Sequence, residues 1–128
     1  MPKLVPKKLP ATESDFLPNL LLIAEIASQY KAINIKAYDV RGLTLVTDCF
    51  LMCSAASDRQ LKAIFNGIRE GMKDAGVKPV TTEGDFDGSW LLLDFGDTIV
   101  HIFREEAREF YDLDGLWGAA TPVELNLE

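Results

Sequence analysis

A chain of 128 residues, 48% hydrophobic and 26% charged, has the size and balance of one globular domain and cannot bury two independent cores. Twenty acids against thirteen Lys and Arg leave a formal net charge of -7, which opposes direct DNA binding or any attachment driven by phosphate neutralisation and favours a basic protein as partner. No apolar run approaches the ~20 residues that cross a bilayer, so no membrane partner is expected.

Residues 1–13, "MPKLVPKKLPATE", carry three of the six prolines and three lysines. Such a stretch holds neither a regular helix nor a central strand, and it reads as a flexible leader, with a short docking tail as the alternative. The next run, "FLPNLLLIAEIA", follows Glu13 and Asp15, contains Glu25 and lacks a small-residue cleavage site, which argues against a signal peptide. From Asn19 to Lys31, Leu20, Ile23, Ala24 and Ala27 recur at helical spacing opposite Glu25 and Gln29, with Pro18 near the first turn.

"INIKAYDV" predicts a strand ended by Arg41 and Gly42, and "CFLMCSA" predicts a second, fully apolar strand. Cys49 and Cys53 share one face of that strand but stand roughly 13 Å apart at ~3.3 Å per residue, too far to be bridged. They read as reduced core thiols rather than a metal pair, in keeping with a cytoplasmic location. Ser57 then opens a helix: "SDRQ" has capping-box spacing, and Leu61, Ile64, Phe65, Ile68 and Met72 form its apolar stripe up to Gly76.

After "VKPV" come "EGDFDG", a turn-rich acidic loop, and "SWLLLDFGDTIVHIF", a hairpin around Gly96 that holds the lone histidine, His101. A two-residue turn at Phe95-Gly96 or a four-residue turn from Asp94 to Asp97 pairs Leu93 with Thr98, Leu92 with Ile99, Leu91 with Val100 and Trp90 with His101. Alternation puts Leu91, Leu93, Val100 and Ile102 on one face, expected under the helices. Trp90, Leu92, Ile99, His101 and Phe103 fall on the other face, expected as an exposed protein-binding patch, with burial under another layer of the chain as the alternative. "REEAREFYDLDGLW" begins with a terminal helix whose Leu113, Leu116 and Trp117 fold back, and "GAATPVELNLE" reads as a loose acidic tail. The domain therefore spans residues 14–118, with the tail at 119–128. The order α-β-β-α-β-β-β-α implies an α/β single domain, a mixed β-sheet with helices packed on it.

Catalytic readings find little footing. A single histidine without a Gly-x-Ser-x-Gly elbow does not make an acyl-transfer site. In "DFDGS", Asp85 and Asp87 have the spacing of a divalent-ion pair, but the Gly-Ser element follows the acids instead of preceding them and no basic phosphate cradle adjoins. "DFG" without a glycine-rich loop and its lysine is a chance match. No cofactor and no metal are expected.

"YDVRGL", "TDCFLMCSAASDRQLKAI", "GVKPVTTEG", "WLLLDFGDTIVHIF" and "REFYDLDGLWG" stand in the order found in the Iojap family, the ribosomal silencing factors, and the chain resembles that family over about residues 17–118. The resemblance implies a nucleotidyltransferase-like topology without the transferase chemistry, and often a homodimer. It further implies binding to the large ribosomal subunit through large-subunit ribosomal protein fourteen, where the factor obstructs joining of the small subunit and lowers translation when nutrients are short. By position in the hairpin and the following helix it places Trp90, Leu92, Asp94, His101, Arg108 and Tyr111 among the partner-binding residues, Trp90 as anchor. Arg108 and Tyr111 read equally well as fixing the last helix to the sheet. The alternative is a nucleotidyltransferase-like enzyme or nucleotide-binding module.

Overall fold

Two long helices form where the sequence places its apolar stripes. In the computed structural model, which describes residues 15–84 and 88–127, α1 spans Leu17–Gln29 and buries Leu20, Ile23, Ala24, Ile26 and Ala27. Helix α2 spans Asp58–Asp74, and its buried side includes the whole predicted stripe. Ser57 caps it by accepting from the Gln60 amide at 3.1 Å. The Gln60 side chain reaches back to the Ala56 amide at 2.7 Å, one residue earlier than a capping box requires. Gly71 lets the two helices approach: a Cβ there would stand 2.6 Å from Ile26 Cδ1. The leader, Asp85 and Asp87 lie outside the described residues.

The strands are β1 (Ile33–Asp39), β2 (Cys49–Ala55), β3 (Thr81–Glu83), β4 (Trp90–Asp94) and β5 (Thr98–Arg104). Two short helices follow, α3 (Glu105–Tyr111) and α4 (Leu113–Leu116), and then β6 (Thr121–Pro122). Through α3 the order is the predicted one. The strands form one mixed sheet in the order β3-β4-β5-β2-β1-β6, with β2 and β5 parallel and the other neighbours antiparallel. As its unbroken apolar run requires, central β2 is buried along its whole length.

The hairpin register differs from the predicted one by two residues. Trp90 stands opposite Phe103, Leu91 opposite Ile102, Leu92 opposite His101 and Leu93 opposite Val100. The turn is the reason. Phe95 donates its amide to the Thr98 carbonyl at 2.9 Å, leaving Gly96 and Asp97 as the turn, with Gly96 at φ 95. Glycine thus takes the first central position of the tight turn, where a positive φ is needed. The Asp94 carboxylate braces it by accepting from the Gly96 amide at 2.8 Å. A slip of two residues preserves the sorting of side chains between faces, whereas a slip of one would have inverted it.

Leu91, Leu93, Val100 and Ile102 accordingly join the main core with α1 and α2. The expectation for the opposite face is overturned in part. Phe50, Met52 and Ile99 form a second apolar cluster there, covered by Leu113, Trp117 and Ala120, so the chain supplies most of its own cover. Leu113 and Trp117 fold back as predicted, but Leu116 is 72% exposed. Nor is the tail loose as far as residue 125: β6 pairs with β1, the Val123 amide donates to the Ala37 carbonyl at 2.9 Å, and Val123 and Leu125 pack on the main core. Pro122, which has no amide to donate, suits this edge position.

Candidate functional site

The second sheet face carries a graded row of rings. His101, on β5, is 5% exposed and accepts the Trp90 indole N–H at its Nδ1, 3.1 Å away. Trp90 is half-buried; it lies 5.0 Å from the Phe103 ring and 5.1 Å from Tyr111. Tyr111 in turn lies 5.1 Å from Phe110. On the other side of His101, Phe50 meets it edge-on at 5.2 Å, and Phe50 in turn lies 5.0 Å from the tilted ring of Trp117. Tilted and edge-to-face contacts at these spacings suit the ring quadrupoles. Helix α3 places Tyr111 on Trp90 because its first residue, Glu105, directly follows the last of β5, Arg104.

Burial pushes the His101 imidazole down to about 4, so it is neutral at physiological pH. With Nδ1 accepting, the ring proton belongs on Nε2, a buried atom without a hydrogen-bond partner among the described residues. A neutral, sealed imidazole is a packing group here, in place of the exposed polar contact that the hairpin pattern predicts. The two cysteines are free and buried. Burial pushes each thiol up to about 12, which leaves essentially no nucleophilic thiolate at neutral pH.

Arg108 belongs to a different network. Its side chain, 8% exposed, faces Asp114, with Nε on Oδ1 and Nη2 on Oδ2, both at 3.0 Å. Nη1 donates to the Asn34 carbonyl at 2.6 Å and to Ser54 Oγ at 3.1 Å. Asn34 can offer that carbonyl because it sits in a bulge of β1, at φ 53, where the pairing with β2 shifts between Ile33 and Lys36. The Tyr38 hydroxyl donates to Asp114 Oδ2 at 2.8 Å. Desolvation is the largest influence on Asp114 and acts upward, yet the hydrogen bonds from Arg108 and Tyr38 together hold its carboxyl below the ordinary value. Tyr38 is raised to about 12 by burial first and the Asp114 bond second. These contacts clamp α3 and α4 to the strands, the fixing role the sequence also allows for Arg108.

Of the six expected partner-binding residues, the fold gathers four at one place. Trp90, His101 and Tyr111 are in ring contact, and Leu92 faces His101 across the hairpin. Asp94 stands at the far end of β4 and braces the turn. Trp90, Leu92, Asp94 and Tyr111 retain accessible surface; His101 and Arg108 are buried. Sequence reasoning missed Asp114, Tyr38 and Phe50. Arg108 and Asp114 are six residues apart across a helix break, a spacing without a local signature. Among the described residues no group of three or more His, Cys, Asp or Glu side chains could hold a metal, and no helix is long and apolar enough to cross a membrane.

Comparison with known proteins adds a consistent set of relatives. The family model described as "Ribosomal silencing factor during starvation" matches residues 13–128. The ribosomal silencing factor of Bacillus subtilis is 36% identical over 107 residues, which cover 84% of this chain and 91% of the relative. The chloroplastic Iojap protein of Zea mays is 38% identical, covering 88% of this chain and 49% of that longer protein. A crystal structure of a Chromobacterium violaceum protein superimposes with a TM-score of 0.79 at 30% identity, covering 90% of this chain and 95% of the other.

Proposed function

The chain belongs to the ribosomal silencing factor family, and from that premise we propose that it docks on the large ribosomal subunit through large-subunit ribosomal protein fourteen. Seated there it obstructs joining of the small subunit and lowers translation when nutrients are short. The reading includes a cytoplasmic location and a homodimer when the protein is free.

The observation that supports docking is the half-exposed wall of Trp90, Leu92 and Tyr111 on an acidic protein. Aromatic anchors supported from behind by buried rings lose little side-chain freedom on binding, which is what interface hot spots require. Behind that wall the imidazole is neutral and sealed, and the two thiols, held protonated, belong to the core on the opposite face of the sheet, so the site offers contact area and not a reacting group. The sign of the charge favours a basic protein over exposed ribosomal RNA.

Co-sedimentation with purified large subunits and with assembled ribosomes tests the proposal. The expected result is binding to the free subunit alone, and fewer joined ribosomes in gradients as the protein is added. Equal binding to both species would remove the steric mechanism.

A further inference from the structure

Phe110 is 81% exposed, the highest value among the described large hydrophobic residues, yet it is not an isolated surface side chain. Its ring meets Tyr111 edge-on, with the planes at 84°, and Tyr111, itself 50% exposed, packs against Trp90 with the rings tilted at 45°. The outermost ring therefore rests on a fixed support, and α3 is held to the sheet by the Arg108 clamp. A large apolar group held out in water on a rigid base is a characteristic of recognition surfaces.

Carboxylates surround this ring in the chain. Residues 105–116 contain five acids and one base, Arg108, and that base is already committed to Asp114. Glu105, Glu106, Glu109 and Asp112 are all exposed. With partners among the described residues, only Glu106 of the four forms an ion pair, with Arg104 at 3.3 Å.

The geometry points to the outer side of α3, centred on Phe110 and Glu109, as a docking surface for a basic protein segment that offers an apolar seat for one ring. This deepens the ribosome-docking reading and rests on it: contact extends past Trp90, Leu92 and Tyr111 onto a side of α3 outside that set. Charge selects the occupant. A nucleic-acid backbone would bring phosphates against the exposed carboxylates of Glu106, one turn before Phe110, and Glu109, beside it in the helix. A second copy meeting this face about a two-fold axis would bring the same carboxylates against themselves. A basic protein surface alone turns that charge into attraction.

Two substitutions test the surface in the full chain. Phe110→Ser removes the ring from an exposed position, and Glu109→Lys reverses a charge in the last turn of α3, where a cation complements the helix dipole. Both variants should therefore melt like wild type. Binding to purified large subunits is measured at about 50 and about 200 mM salt, with sedimentation equilibrium of the free protein alongside. Phe110→Ser should weaken subunit binding by about tenfold or more. Glu109→Lys should weaken it and flatten its salt dependence.

Unchanged binding by Phe110→Ser while wild type binds overturns the surface and leaves the ribosome-docking reading standing; failure of wild type to bind overturns both. Tighter binding by Glu109→Lys identifies RNA as the occupant and overturns the protein assignment. Loss of self-association in Phe110→Ser with subunit binding intact assigns the face to a second copy and overturns it as well.

Discussion

Trp90 donates its indole N–H to His101 Nδ1 across 3.1 Å, between neighbouring strands of the sheet. One bond thus joins the half-exposed anchor of the candidate docking wall to a buried imidazole. It fixes the neutral tautomer of His101 and orients the indole, so the surface depends on the core behind it.

The first prediction is a pH-dependent stability that originates at His101. Its folded value, about 4, lies below the ordinary 6.5. The unfolded chain therefore binds a proton that the folded chain refuses. Stability is complete above pH 6.5 and falls as pH drops from there toward about 4, by a total of about 3 kcal/mol. Asp39, whose Arg41 hydrogen bonds hold it below 3.8, and Asp114, also below 3.8, lose their contributions only at lower pH. Asp97, raised by burial, works in the opposite sense. Denaturant titrations of wild type and His101→Phe at about pH 7 and about pH 5 isolate the histidine. An equal pH dependence in both proteins would assign the slope to other groups.

Arg108→Met should destabilise the protein by about 3 kcal/mol, because it removes a buried cation and strands the polar partners it satisfies. Those partners are Asp114, the Asn34 carbonyl and Ser54. Arg108→Lys should recover only part of the loss, since a single ammonium does not reproduce a planar fork that serves three groups. Urea unfolding measures both variants, and wild-type stability in Arg108→Met would show that the clamp contributes nothing net.

Parts of this arrangement are legible in the sequence, for physical reasons. The apolar stripes of α1 and α2, the Ser57 cap and the continuous apolar run of β2 announce their elements. Strict alternation sorts Leu91 and Leu93 from Trp90 and Leu92, and it survives the two-residue error in register because the side-chain period is two. That Leu113 and Trp117 fold back is legible; that they do so over the second face is not. Helices of seven and four residues contain too few turns to show a stripe. Asp112, at φ 48 between them, redirects the chain by means no propensity reveals. The exposed patch expected around His101 therefore proves largely internal, with Trp90, Leu92 and Tyr111 as its accessible rim. The two-residue β6 has likewise no pattern of its own, and only its pairing with β1 defines it.

Cys49 and Cys53 should resist alkylation in the folded protein and react once it is unfolded. Burial raises both thiols from 9.0 to about 12, and the Cys49 thiol shares a 3.1 Å hydrogen bond with the Thr98 hydroxyl. The same shifts set an alkaline limit. As pH climbs from 9.0 toward about 12 the unfolded chain releases thiol protons that the folded chain retains, and stability falls through that window. Timed labelling at about pH 8, with and without denaturant, provides the check; rapid labelling of the native protein would contradict the sealed-core placement.

The last prediction separates recognition from support within the aromatic row. Trp90→Ala removes ring contacts with Phe103, Tyr111 and His101 and deprives His101 Nδ1 of its donor. A fully buried Trp costs about 3–5 kcal/mol to truncate, so a half-buried one should cost about 2 kcal/mol of stability. Subunit binding should fall as well, so Trp90→Ala alone cannot apportion the two effects. Tyr111→Ala can. Half of its side chain faces solvent, and its ring rests on Trp90 from outside, so the melting midpoint should move little. An anchor lost from the centre of an interface costs about 2 kcal/mol, or roughly thirtyfold in affinity. Native-like melting with binding reduced on that scale would place Tyr111 in the contact. Native-like melting with unchanged binding would reduce Tyr111 to a cover for Trp90 and move the docking surface elsewhere.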